Sequence, residues 1–280
     1  MMTTKEQLIQ ILSAAKGWIS GEDISETLGV SRAAIAKHIT TLRKEGYLID
    51  SATRRGYLLK LVPDEIDLEH IKKGINTKII GQGQWFLLDE SLSTNQQAIL
   101  YAAQGAPEGS IIITKKQICG RGRKGKEWFS SPRSAYFSII LRPNLSSEKI
   151  PLLLTMATLA VQKTLSEFEQ LKAMIKWPND VFIHGKKISG SLVETGFIAD
   201  ELEWAVIGIG CNLNTVYAEF PENLQNMITS TLEETGTYFP RNLFYKNIIK
   251  WLDYYYQMIL NHQEKCFLEA MDEIFDEKDR

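Results

Sequence analysis

The sequence predicts an α+β protein made of two folded units, and three observations carry that expectation. The chain has 280 residues, close to two units at about 150 residues each. Its first sixty residues read as short helices followed by a hairpin, whereas the remainder alternates strands with longer helices. Pro63, in Val62-Pro63-Asp64, disfavours helix at the preceding residue and suits a linker, which puts the boundary between residues 1–62 and 63–280. Neither part contains an internal repeat or a low-complexity segment.

Composition narrows the function classes. With 44% hydrophobic and 24% charged residues the chain matches an ordinary globular protein and excludes disordered, collagen-like and disulfide-scaffold classes. The net charge is −2, so attraction to nucleic acid has to come from a local patch. Cys119, Cys211 and Cys266 lack the paired spacing of zinc or disulfide frameworks, which points to a reducing compartment. Residues 1–7 lack the apolar stretch of a secretory signal. The most apolar run, residues 152–165, is broken by Thr155, Thr158, Gln162 and Lys163 and is too short to span a bilayer. A cytoplasmic protein without membrane association is expected.

In the first unit, Leu8, Ile11 and Leu12 follow the spacing of an amphipathic helix. A second helix fits Gly21–Leu28, and Gly29-Val30 makes a short turn. Ser31 is a good N-cap for a third helix whose buried face is Ile35, Ile39 and Leu42, leaving Arg32, Ala33, Ala34, Lys37 and His38 outward. Tyr47-Leu48-Ile49 and Tyr57-Leu58-Leu59 flank Arg54-Arg55-Gly56, a hairpin with a basic tip. The arrangement resembles a winged helix-turn-helix, in which the third helix enters the DNA major groove and the wing contacts the backbone. Ser31, Arg32, Ala33, Lys37, His38, Arg54 and Arg55 are the candidate DNA contacts. Nine Lys/Arg against six Asp/Glu over residues 1–62 give this unit +3, which favours phosphate contact. A helical module for protein contact, with solvated basic residues, is the alternative.

Four segments of the second unit carry chemistry. Ser93-Thr94-Asn95 follows the apolar stretch Trp85-Phe86-Leu87-Leu88 and precedes a helical run. It reads as a helix N-cap or as hydroxyls and an amide that bond a small polar ligand. Gln117-Ile118-Cys119-Gly120-Arg121-Gly122-Arg123-Lys124-Gly125-Lys126 lies between strands Ser110–Thr114 and Ala135–Leu141. Its glycines and cations suit a flexible loop that wraps a phosphate, although it lacks the P-loop and dinucleotide orders. An inert solvated loop is the alternative, but six cations (Lys115, Lys116, Arg121, Arg123, Lys124, Lys126) repel one another unless a counter-charge arrives.

The third segment, Lys176-Trp177-Pro178-Asn179-Asp180-Val181, reads as a hairpin corner. His184-Gly185-Lys186 forms the next turn, and a strand running from Lys187 through Glu194 follows, which sets Lys187 one hairpin from Asp180. In the fourth, Gly208-Ile209-Gly210-Cys211-Asn212-Leu213-Asn214, the glycines end the strand 204–207 with a backbone bare enough for a ligand to approach.

Taken together, a winged helix, Ser-Thr-Asn, Gly-Arg-Gly-Arg, Lys-Trp-Pro-Asn-Asp, Lys-x-x-Gly and Gly-Ile-Gly-x-Asn resemble the bacterial biotin protein ligases of the bifunctional type, over roughly residues 5–260. The resemblance implies a mixed-sheet catalytic domain of the biotin/lipoate ligase type. It also implies ATP, Mg²⁺ and biotin, with biotinyl-5′-AMP as both reaction intermediate and corepressor. The partners it implies are the biotin carboxyl carrier protein, operator DNA and, with ligand bound, a second copy of the chain. By the same resemblance biotin lies against Ser93, Thr94, Asn95, Gln117, Gly120, Arg121, Gly122, Arg123 and Lys187. The nucleotide meets Arg121, Arg123, Lys176, Trp177, Asn179 and Asn212. Arg121, Arg123, Lys187 and Asp180 carry the catalysis, and the metal comes with the ATP phosphates and has no protein ligands. The family continues into an SH3-like barrel that is expected to be absent here, residues 261–280 reading instead as an acidic helix. A biotin-sensing repressor without efficient ligase activity and a lipoate or other acyl ligase on the same scaffold are the competing readings.

Overall fold

The computed structural model describes residues 3–15, 17–62, 65–168 and 171–263. These divide into two compact units, residues 1–65 and 66–280. In the first, α1 (Thr4–Ala14), α2 (Gly21–Leu28) and α3 (Arg32–Lys44) precede a hairpin of β1 (Leu48–Ala52) and β2 (Gly56–Leu61). Each helix begins at a hydroxyl cap: Thr3 accepts from Glu6 N, Ser20 from Asp23 N and Ser31 from Ala34 N, satisfying backbone donors that lack intrahelical partners. Gly29 ends α2 in the left-handed conformation. Leu8, Leu12, Ile24, Ile35, Ile39, Leu42 and Ile49 form the buried core of this unit.

The second unit is built on a seven-stranded sheet. Its strands are β3 (Trp85–Leu88), β4 (Ser110–Thr114), β7 (Ala135–Leu141), β8 (Met174–Lys176), β9 (Asp180–Ile183), β10 (Lys186–Ile198) and β11 (Glu201–Cys211). A separate small ribbon pairs β5 (Gly120–Arg121) with β6 (Glu127–Trp128). The sheet order is β3-β4-β7-β11-β10-β9-β8, parallel between β3 and β4 and antiparallel elsewhere. One face is covered by α4 (Leu68–Lys73), α6 (Ile150–Ser166) and α8 (Arg241–Leu260), whose apolar residues join the main core. The other face receives α5 (Thr94–Ala103), where Ala98 and Ala102 pack on Ile112, Ile140 and Val206. The short α7 (Thr231–Thr235) follows β11. Buried Asp253 on α8 accepts from the N–H groups of Lys78, Ile79 and Ile80 at 2.8–2.9 Å, which fixes the segment leading into β3. Among the described residues no helix is long and apolar enough to cross a membrane.

Three sequence expectations change. The strand expected to end at residue 207 runs on to Cys211, because Gly208, Gly210 and Cys211 keep their pairing with both β7 and β10. The glycines therefore lie within the sheet. The strand expected over 187–194 extends to Ile198 because β11 pairs with it from Ser189 to Ile198. The expected flexible loop at 117–126 is the β5–β6 ribbon, its tip turned by Lys124 and Gly125 at positive φ and closed by Gly122 N donating to Lys126 O at 2.7 Å. Of the expected acidic helix, residues 261–263 follow α8 outside any helix and the remainder lies outside the described residues.

Candidate active site

A cavity of about 350 Å³ opens on the α5 face of the sheet, within the size range of small-molecule sites. Its floor is made by what the strands lack. Gly190 and Gly210 sit opposite each other across β10 and β11, and Gly208 lies two residues before Gly210. A Cβ at Gly190 or Gly210 would come within 2.8 or 2.7 Å of the Trp128 ring, and one at Gly208 would collide with Asn95 Oδ1. The bare backbone thus seats one indole and one amide, where side chains would fill the cavity.

One end of the cavity is polar and neutral. Ser93 caps α5 without a side-chain cap bond, and the Thr94 N–H instead donates to Gln117 Oε1 at 3.1 Å. With that oxygen engaged, Gln117 turns its Nε2 to Ser130 Oγ at 3.1 Å. Asn95 Nδ2 donates to Glu194 Oε2 at 2.8 Å, and Ser138 Oγ lies 2.8 Å from Thr94 Oγ1 and 2.6 Å from Asn95 Oδ1. Ser93, Thr94, Asn95, Gln117 and Ser138 are all buried. Tyr136 also lines the cavity; burial pushes its phenol well above the ordinary range, so the group is a neutral hydroxyl.

The other end is charged. Lys187 Nζ lies 2.7 Å from Asp180 Oδ1 and 5.2 Å from the centre of the Trp128 ring. Asp180 Oδ1 also accepts from Asn179 Nδ2 at 2.9 Å, and Asn179 Oδ1 accepts from Arg123 at 2.9 Å. A chain of contacts thus joins the ribbon tip to the hairpin corner, where the Trp177-Pro178 bond is cis. Arg121 donates at 2.8 and 3.0 Å to Gln96, whose amide oxygen must face the guanidinium because that group only donates. Trp128 Nε1 is buried with no partner among the described residues.

Among the sequence-derived candidates, Ser93, Thr94, Asn95, Gln117, Arg121, Gly122, Arg123, Asn179, Asp180 and Lys187 line this cavity. Four others do not. Gly120 belongs to the ribbon itself, paired with Trp128, and a Cβ there would meet Trp128 O at 2.6 Å. Lys176 lies over the Phe182 ring at 5.1 Å, and Trp177 is 51% exposed. Asn212 is buried beyond the end of β11, its Nδ2 donating to Thr229 O at 3.0 Å. The expected cation repulsion is also smaller, since Lys115 pairs with Asp89 at 2.7 Å and Lys116 pairs with Glu90. The Lys115 bond holds the Asp89 carboxyl below its usual range.

Comparison with known proteins follows the same division of the chain. Residues 90–212 match the biotin/lipoate A/B protein ligase family and residues 4–58 match an HTH domain. The bifunctional ligase/repressor BirA of Bacillus subtilis (strain 168) is 36% identical over 262 residues, spanning 93% of this chain and 80% of that protein. The chain belongs to the bifunctional biotin ligase/repressor family. Its counterpart in Escherichia coli (strain K12) is 33% identical over 255 residues, 89% of this chain and 75% of that protein. A solved biotin protein ligase from Aquifex aeolicus in complex with biotin and ATP superposes with a TM-score of 0.55 and 29% identity, over 64% of this chain and 72% of that one.

For a biotin ligase/repressor, sequence reasoning missed Trp128, Ser138 and Glu194. Two of the three left a signal. Ser138 is the one polar residue in the apolar run of β7 besides Tyr136, and Glu194 is the only charged residue between Lys187 and Asp200. In the first unit, Ser31 at the cap of α3, Arg32, Ala33 and Lys37 on it and Arg54 and Arg55 at the hairpin turn are exposed, while Ala34 and His38, expected outward, are half-buried. The Arg55 guanidinium rests 4.5 Å over the Trp18 ring.

Proposed function

We propose that this chain joins biotin to ATP as biotinyl-5′-AMP, transfers the biotinyl group to a lysine of the biotin carboxyl carrier protein, and represses transcription from an operator when the adenylate is bound. The observation that carries the ligase reading is the polarity of a single cavity. Its neutral end offers hydroxyls and an amide to a cyclic urea, and its charged end brings Lys187 and Arg123 to the place where a carboxylate must meet a phosphate.

In the first step a biotin carboxylate oxygen attacks the α-phosphorus of ATP and pyrophosphate leaves. Both reactants are anionic, so Arg121, Arg123 and Lys187 offset their repulsion and the charge developing on the α-phosphate. Lys187 does so from a pair with Asp180, which holds the ammonium in place until phosphate oxygens share it. In the second step the acceptor lysine nitrogen attacks the anhydride carbonyl and AMP leaves. Holding that amine neutral at pH 7 costs about 4.6 kcal/mol against its ordinary pKa. Asp180 orients the amine and then takes its proton, and the anhydride supplies most of the drive.

Mg²⁺ fits as a partner of the ATP phosphates. The described residues contain no group of three or more His, Cys, Asp or Glu side chains able to hold a metal ion, and Mg²⁺ commonly keeps its waters and binds through phosphates. It would neutralise phosphate charge there. The first unit binds DNA through α3 in the major groove, with Ser31, Arg32, Ala33, Lys37 and His38 on that side, while Arg54 and Arg55 meet phosphates. A homodimer would present two such helices to a two-fold operator. The test is an avidin blot of a carrier domain incubated with the chain, biotin and Mg-ATP. ATP-dependent labelling of one lysine is expected, and its absence overturns the ligase reading.

A further inference from the structure

A hydroxyl carries one hydrogen, and a carboxylate or an amide oxygen carries none. Applied to the neutral end of the cavity, this count fixes the sense of every bond in a row of four side chains. The Glu194 carboxylate can only accept, so Asn95 turns Nδ2 toward it, at 2.8 Å. Asn95 Oδ1 is then the atom 2.6 Å from Ser138 Oγ, and that contact consumes the single Ser138 proton. The remaining contact, 2.8 Å between Ser138 Oγ and Thr94 Oγ1, must run on the Thr94 proton. Thr94 Oγ1 is left with lone pairs alone toward the cavity it lines.

We propose that Glu194 is a positioning residue that holds Thr94 Oγ1 as a hydrogen-bond acceptor for a ligand N–H, through Asn95 and Ser138. The proposal rests on the reading of biotin as substrate, whose cyclic urea supplies that N–H. Without Glu194 the row can reverse: Asn95 turns its Nδ2 to Ser138, Ser138 donates to Thr94, and Thr94 points its proton at the urea N–H. Two donors then face each other in a buried site, where an unmade hydrogen bond is costly. Three features make the order hold in one direction. Asn95 Oδ1 lies against the bare backbone of Gly208, where no side chain competes for it. Thr94, Asn95 and Ser138 are all buried. The Thr94 backbone N–H is already committed to Gln117 Oε1 and one Gln117 Nε2 hydrogen goes to Ser130 Oγ, which leaves the second Nε2 hydrogen as a donor beside the Thr94 acceptor. A neighbouring donor and acceptor complement the C=O and N–H of a cyclic urea.

The experiment is calorimetric titration of biotin into the full chain, with Glu194→Leu, Glu194→Gln, Thr94→Val and the Glu194→Leu/Thr94→Val pair. Glu194→Leu is expected to weaken biotin by about tenfold, the scale of one buried hydrogen bond, and to raise the KM for biotin with kcat and the KM for ATP little changed. Glu194→Gln, whose Oε1 still accepts, should stay within about threefold of wild type. The pair should be no weaker than Thr94→Val alone within about twofold, because both changes remove the same acceptor. Should Glu194→Leu fail to fold, Ser138→Ala breaks the row with a smaller change and carries the same non-additivity with Thr94→Val. Wild-type affinity in Glu194→Leu, or effects that multiply in the pair, would overturn the proposal alone. A wild-type chain that does not bind biotin would overturn the substrate reading beneath it.

Discussion

Lys187 and Asp180 hold opposite charges at one end of the cavity, 2.7 Å apart and each about one-quarter exposed. Removing only the cation leaves a carboxylate facing the triphosphate, so the loss has two parts: a missing donor to the α-phosphate and an added repulsion. Lys187→Ala is therefore expected to slow adenylation by about 3 kcal/mol, or roughly a hundredfold, measured as biotin-dependent exchange of pyrophosphate into ATP. Adding Asp180→Asn should restore part of that rate; a double variant as slow as the single one would show that repulsion plays no part. The proximity of these two residues was legible in the sequence because one short turn separates their strands, while their ion pair is seen only in the structure. Asn212 was not, since its motif position gives no sign that its amide turns inward to Thr229 O. Cysteines differ for a related reason. Cys119 is exposed beside the ribbon and Cys211 is buried, where desolvation pushes its thiol upward. Iodoacetamide should modify Cys119 in the native chain and Cys211 only after denaturation, read by peptide mass spectrometry; early labelling of Cys211 would show that the end of β11 opens.

At the scale of elements, the site depends on two strands that stay paired while losing their side chains. Short apolar runs mark β4, β7 and the 204–207 part of β11 in the sequence, apolar spacing marks α1 and α3, and the Ser31 hydroxyl marks where α3 begins, because those signals are local. The continuation of β11 through its glycines is not local: it comes from β7 and β10 pairing with it on both sides. The same holds for the ribbon, whose two-residue strands are too short to leave a periodic pattern. Gly210 tests this account. A Cβ there would press into the Trp128 indole at 2.7 Å, so Gly210→Ala should displace the ring and weaken biotin by about tenfold, while the backbone keeps its pairing and the melting temperature moves by only a few degrees. Calorimetry beside a thermal melt reads both. A large drop in melting temperature without a change in affinity would mean that the glycine serves the sheet and not the cavity. In the hairpin of the first unit, Gly56 combines φ of +90° with backbone of Ile19 and Ser20 where a Cβ would lie. Gly56→Ala should cost that unit at least about 1–3 kcal/mol, read as loss of its thermal transition.

On the scale of the whole molecule, a chain of net charge −2 carries a first unit of +3, so its affinity for DNA is set by where cations lie. Each phosphate contact that forms releases counterions and steepens the dependence of binding on salt by about 0.9 in the logarithmic slope. Lys37, Arg54 and Arg55 are exposed on α3 and the hairpin turn, but Arg55 also rests on Trp18, which holds it in one orientation. Arg54→Ala is thus expected to lower the salt slope by about one and weaken all sequences alike. Arg55→Ala should lower it similarly, and Trp18→Ala should reproduce part of that effect by freeing the guanidinium. The proposed dimer adds a second dependence. One unit offers one recognition helix, whereas two units linked by ligand-driven pairing bind half-sites about one helical turn apart, and the second contact becomes intramolecular. Electrophoretic shifts of a two-fold operator should therefore sharpen and move to lower protein concentration when biotin and ATP are both added. The same shifts on a single half-site should not respond. An equal response on both DNAs would place the effect of ligand within one chain, and no response on either would separate the DNA-binding unit from the ligase chemistry altogether.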